Sequence, residues 1–386
     1  MAKQKVTDTR SQKTARRFRF YKWIAVGVLA LHLILGFTLF RREITVENLR
    51  YLIKYLDFTA ASSESGEVSM HFGANPANRF AVFRGDLALV NESGVTLFDR
   101  RGSAVMTDRF SMANPVCVCG NRYLVVYDLG GFQVRVYNSF SLLFEKTFDY
   151  PVQSCDVNSG GDFCVVTSEK SYHAAVLVYD SSFREVRRFL SAEEYVYSAA
   201  LSDYGTVSVS TVQSEQGTLT TKMILLSLKS DDPVATFQVA DQMPLSHALS
   251  RKGDTLFTDR ELIYAEKGEI IRSVRFPSRT LGQCVIGSEI CAAVQDVPSV
   301  GVSFQVRLFN RRAEEIYAQE FSTPIRDLKV FKDKAYVLTG TALYELCAGE
   351  EMREYPLEGD YSSFGVLSHG VVVLCADASA DIKILN

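Results

Sequence analysis

FQVRVYN at Phe132–Asn138 returns almost unchanged as FQVRLFN at Phe304–Asn310. Two copies of one strand-like heptapeptide, so far apart, point to an internal repeat. Working outward from each copy, the same surroundings appear. VCVCGNRYLVVYD, from Val116, precedes the first, and CVIGSEICAAVQD, from Cys284, precedes the second. Each reads as an apolar strand, a tight turn of small or polar residues, and a second apolar strand. The unit recurs as AVFRGDLALVNE from Ala81, CDVNSGGDFCVVTSE from Cys155 and AALSDYGTVSVST from Ala199. It recurs again as HALSRKGDTLFTD from His247, LKVFKDKAYVLTG from Leu328 and GVLSHGVVVLCAD from Gly365.

A third strand follows every unit. Besides the two heptapeptides these are VTLFDR (Val95), AAVLVYD (Ala174), KMILLSL (Lys222), ELIYAEK (Glu261), TALYELC (Thr341) and DIKILN (Asp381). Seven units also have a fourth strand, such as LLFEKTF and EIYAQEF. The eighth stops without one at Asn386, whereas EVSMHF, Glu67–Phe72, stands before the first unit with no partner there. Equivalent positions Asn78 and Ser363, seven repeats apart, give about 41 residues per repeat, the size of a four-stranded propeller blade. The expected fold is therefore all-β: an eight-bladed β-propeller over 67–386, with seven blades as the alternative. One N-terminal and three C-terminal strands would share the last blade and remove the open edge. Blade 5 (244–279) is the tersest and blade 4 (196–243) the loosest.

The first 66 residues read differently. Residues 1–22 carry eight Lys/Arg and one acid, Asp8. Residues 23–40, WIAVGVLALHLILGFTLF, carry no charge and would span about 27 Å as a helix, close to the ~30 Å of a bilayer core. Tyr21 and Trp23 stand where an interfacial aromatic belt belongs. The end of the run, GFTLFRRE, offers no small-x-small cleavage site, so an uncleaved anchor is expected rather than a signal peptide. The basic excess ahead of it places the N-terminus in the cytoplasm and the β domain outside. His32, alone in the span, reads as a tolerated neutral imidazole. Residues 41–66 continue as an amphipathic helix, with Val46, Leu49, Leu52, Ile53 and Leu56 on one stripe, and then a small polar linker.

The repeated turns SDYG, SRKG and NSGG resemble those of WD-repeat-like and quinoprotein-like propellers. The Trp-Asp and Gly-His signatures of true WD repeats are absent, as is the Trp-Gly signature of quinoprotein blades. The order of parts also resembles an uncharacterised family of Gram-positive bacterial single-pass membrane proteins with an extracytoplasmic propeller. That resemblance implies no activity and no site residues.

No set of residues carries a recognisable chemistry. His71, His173, His247 and His369 are unpaired in sequence, and no Asp-rich calcium loop occurs, so no metal is expected. No Gly-rich nucleotide loop or Gly-x-Ser-x-Gly elbow occurs, and no cofactor is expected. Eight cysteines all lie within predicted strands, seven of them beside Val, Ile or Leu, as buried free thiols do. Cys155–Cys164 and Cys284–Cys291 are the pairs close enough on one hairpin to raise a disulfide. Beyond residue 22 there are 34 basic and 44 acidic residues, the wrong sign for nucleic acid.

Position offers one functional clue. Propellers bind ligands where the innermost strands begin. Counting back along each repeat nominates Asn78, Asn114, Gln153, Tyr197 and Arg326 as ligand-binding candidates, with His247 two residues further in. The function expected is a membrane-tethered, non-enzymatic scaffold at the cell membrane that binds a protein, a peptide or an envelope ligand. The alternatives are a propeller enzyme acting on a glycan or small molecule at the channel mouth, and a sensor subunit of a membrane complex.

Overall fold

The computed structural model describes residues 68–385 apart from 216, 231, 278–280 and 300, together with residues 21, 22, 27, 28 and 31. Those last five are helical. The remainder of the expected anchor (23–40), residues 1–20 of the basic tail and the 41–66 helix and linker lie outside the described residues. Among the described residues no helix is long and apolar enough to cross a membrane. The chain divides into two compact units, Met1–Ser65 and Gly66–Asn386.

Among the described residues of the second unit, thirty-two strands, β1 to β32 in chain order, form eight antiparallel four-stranded sheets. Seven sheets use consecutive strands. The eighth joins β30 (Ser363–Ser368), β31 (Val371–Cys375) and β32 (Ser379–Ile384) to β1 (Val68–His71). In that pairing Val68 faces Ile382 and His71 faces Ser379. This is the closure expected from the unpartnered EVSMHF segment.

The innermost strands are β2 (Arg79–Phe83), β6 (Pro115–Cys119), β10 (Ser154–Val157) and β14 (Tyr195–Leu201), then β18 (Pro244–Leu249), β22 (Leu281–Ile286), β26 (Asp327–Phe331) and β30. Each touches the next, and β30 touches β2, so the ring closes at eight blades. The seven-bladed alternative is thereby excluded. Gly365 makes this last joint close, because a Cβ there would overlap Val82 of the first blade.

The sequence pattern explains the joints. Each sheet stands radially, so the side chains on both of its faces enter the cores between blades. Phe163 and Tyr179 stack at 4.9 Å in the core between blades 2 and 3. Phe257 and Phe309 are fully buried between blades 5 and 6. The Asp or Asn that ends the third strand of several repeats makes the turn to the fourth. Asp99, Asn138, Asp180 and Asn310 each accept two backbone N–H bonds at 2.8–3.1 Å through one side-chain oxygen. These are Asx turns, in which a side chain replaces a backbone acceptor.

Two hairpins are longer than the rest: β15–β16 (Thr206–Glu215, Thr218–Ser227) in blade 4, and β23–β24 (Ile290–Ser299, Gly301–Asn310) in blade 6. Their strands run out toward the face on which the innermost strands begin, called here the upper face. Blade 5 lies low between them.

Candidate functional site

The upper mouth of the channel holds the candidate residues, but not as one cluster. Asn114 and Gln153 are exposed just ahead of β6 and β10, and their backbones are already engaged. The Asn114 N–H donates to the Asp128 carboxylate at 2.7 Å, and the Gln153 N–H to the Val166 carbonyl at 2.8 Å. Tyr197 is exposed at a β-bulge, where the register of β14 slips between Val196 and Ser198. A bulge re-aims a side chain that would otherwise pack.

Asn78 is buried, and its amide is fully used. It donates to the carbonyls of Gly73 (3.2 Å) and Asp377 (3.0 Å) and accepts from Asn91 at 3.1 Å. It ties the first blade to the last. Arg326 donates to the Asp360 carboxylate and, at 2.7 Å, to the Tyr361 carbonyl.

His247 is deeper, at the joint of blades 4 and 5. Nδ1 lies 3.1 Å from Ser198 Oγ and Nε2 lies 3.2 Å from the Ser208 carbonyl. Ser198 in turn bonds Ser210 at 2.9 Å. Desolvation pushes the imidazole pKa down to about 4, so the ring is neutral at ordinary pH. With a backbone carbonyl at Nε2, no carboxylate completes a catalytic triad here.

Asn78 and Arg326 do meet at one cavity, of about 500 Å³, across blades 7, 8, 1 and 2. Arg79, Asp327, Lys329 and Ser363 share it; sequence counting reached Ser363 without nominating it and did not reach the other three. Asp327 is a joint in itself. Its carboxylate accepts from Ser363 Oγ (2.8 Å) and the Phe364 N–H (3.2 Å) of the next blade, from the Leu328 N–H (2.9 Å), and pairs with Lys329 at 3.2 Å. Asp156 does the same between blades 3 and 4, accepting from the Leu201 N–H at 2.8 Å, and burial raises its pKa. A second cavity of about 350 Å³ continues below, and a third of about 590 Å³ lies beside Arg326, Asp360 and Asp377.

The upper face also carries aromatic rings. Tyr172 begins the third strand of blade 3 and is 40% exposed; Tyr195 and Tyr197 on blade 4 are 58% and 39% exposed. His173 packs against Tyr195, with ring centroids 4.6 Å apart. Glu193 stands exposed beside them. Glu194 is held by Lys222 (2.8 Å) and Thr211 (2.7 Å).

Among the described residues no group of His, Cys, Asp and Glu could hold a metal ion. The cysteines are free thiols. Cys155 packs between blades 2 and 3, and Cys164 between blades 3 and 4, so the two point to opposite faces of one sheet. Cys284 and Cys291 share a core, where burial raises both thiol pKa values, to about 12 and about 11. Such thiols are poor nucleophiles.

A model of a family of unknown function, DUF5711, matches residues 62–377. Solved structures with the same fold include the C-terminal WD40 domain of Sif2, at 10% identity and a TM-score of 0.56, covering 83% of this chain and 100% of that one. The Dos1 propeller aligns at 9% identity and a TM-score of 0.57, covering 82% of this chain and 95% of that one. Identities this low show the fold alone. No curated protein matches the chain.

Proposed function

We propose that this chain, which belongs to the DUF5711 family of unknown function, is a membrane-tethered, extracytoplasmic propeller that serves as a binding scaffold for a protein, a peptide or an envelope ligand. The observation that carries this reading is the exposure of Tyr172, Tyr195 and Tyr197 together on the upper face. Those rings would gain by burial, and Tyr is enriched where partners bind. The long hairpins of blades 4 and 6 add relief to the same face. The tether is supported by the uncharged run 23–40 and by its basic flank. Within this reading the propeller presents surfaces and performs no chemical step.

The test is crosslinking in the native cell, comparing the full chain with one that lacks residues 67–386 and still carries the anchor. A reproducible partner set that vanishes with the propeller is the expected result. The same set retained by the tail and anchor alone would overturn the reading.

A further inference from the structure

The channel wall across blades 7, 8, 1 and 2 changes character with depth. At the mouth its strands begin polar: Arg326 and Asp327 on blade 7, Ser362 and Ser363 on blade 8, Asn78 and Arg79 on blade 1. Three or four residues further down they are apolar. Phe331, Val366, Val82 and Cys119 line the lower cavity, each half-buried in a joint between blades with an edge left toward the channel. The two cavities adjoin, with Phe80, Cys117 and Lys329 lining both.

We propose that this shaft holds a single-chain amphiphilic anion, an acyl carboxylate, with its head at Arg79, beside the Lys329–Asp327 ion pair, and its chain on the apolar wall below. The proposal goes beyond the face-binding reading and does not depend on it.

Charge placement selects the head group. The Arg79 guanidinium is exposed and makes no hydrogen bond or ion pair among the described residues, whereas the neighbouring Arg326 is already spent on Asp360 and Tyr361. Asp327 is likewise engaged by four donors, one of them the Lys329 ammonium at 3.2 Å, so among the described residues the unpaired charge at the head is that of Arg79. Asp377 lines the mouth and the side cavity, but not the lower cavity, which Lys329 reaches. Cys117 reports the field at the neck. The charged groups acting on its thiol are Lys329 and Arg79, both drawing its pKa down against the burial that leaves it at about 11. A free guanidinium fork suits one carboxylate. An apolar pocket with a few convergent polar groups is the usual form of a small-molecule site.

The experiment uses the full chain in its native membrane and a diazirine analogue of octanoate, with labelled residues mapped by mass spectrometry. Label is expected on β26, β30, β2 and β6, displaced by octanoate and not by octylamine or octanol. Arg79→Gln should lower that label about tenfold, the scale of a lost charge-assisted pair. Label in the 23–40 segment should not change, which shows that the variant is present and probed equally. Arg79→Glu should make the corresponding octylamine probe label the same strands. Absence of label from these strands, equal displacement by octanol, or undiminished label in Arg79→Gln would each overturn the proposal.

Discussion

Arg307 lies over the ring of Phe276, 5.4 Å from its centroid, and the same relation recurs four blades earlier, where Arg135 lies 5.4 Å over Phe110. Both arginines are the fourth residue of the repeated heptapeptide. Both rings come from the connection leaving the preceding blade. Each arginine is also held by an acid of its own blade's outer strand, Glu315 for Arg307 and Glu145 for Arg135. Arg135 adds an ion pair to Asp108 of the preceding blade at 2.8 Å. The repetition is thus of a joint between blades, not only of a strand.

Truncating that joint should loosen the ring. Arg307→Met keeps the aliphatic stem and removes the charge. It should cost about 2 kcal/mol, combining a cation–π contact with charge-assisted hydrogen bonds. The readout is the denaturant midpoint of the propeller by far-ultraviolet circular dichroism. An unchanged midpoint would show that the arginine is idle.

Closure should be the ring's most sensitive seam. Met70 of β1 is 2% exposed and packs in the core between blades 8 and 1. Met70→Ala should cost about 2–5 kcal/mol, as other large-to-small core changes do. Gly365→Val should be as damaging, because the new side chain overlaps Val82. Size-exclusion chromatography should show aggregation in both, since an unpaired sheet edge recruits other chains.

Much of this was legible before the structure, for physical reasons. The eight blades follow from a period that every blade must repeat to bury its two faces. The closing strand follows from EVSMHF having no neighbour in its own repeat. The mouth was harder to read. In a radial sheet, consecutive side chains flank the channel on opposite faces. Counting one position per strand therefore found Asn78 and missed Arg79, and found Arg326 and missed Asp327 and Lys329. Bulges defeated the count on the far side. Register slips make Tyr197 and Leu245 the extra residues of β14 and β18, and nothing in their sequence signals it. That Asn78 is consumed by Gly73, Asp377 and Asn91 depends on blades meeting from opposite ends of the chain.

Two buried groups at neighbouring positions should oppose each other in acid. Burial lowers the pKa of His247 from 6.5 to about 4 and raises that of Asp254 from 3.8 to about 6. Between pH 6.5 and 4 the unfolded chain holds the histidine proton and the folded chain does not, so this group costs stability as pH falls. Between pH 6 and 3.8 the folded chain holds the aspartate proton, so that group adds stability as pH falls. Each shift corresponds to as much as about 3 kcal/mol. The native ring should therefore show little pH dependence from this pair. Relative to the native chain, His247→Gln should gain stability as pH drops from 7 to 4. Asp254→Asn should be the more stable at pH 7 and lose that advantage by pH 4. Parallel pH profiles for all three proteins would contradict the assignment.

Topology gives a separate expectation. An epitope at the N-terminus should be protected from protease in intact protoplasts, and one following Asn386 should be digested, as the basic flank of the 23–40 segment requires. Digestion of the N-terminal epitope would reverse the orientation.

The claim that the upper face is the binding surface is tested most directly by one variant. Tyr172, Tyr195 and Tyr197 are exposed, so changing all three to Ser should leave the fold intact. In the native-cell crosslinking experiment the account expects this triple variant, folded and anchored, to lose the partner set that the full chain captures. Retention of that set at the native level would contradict the account.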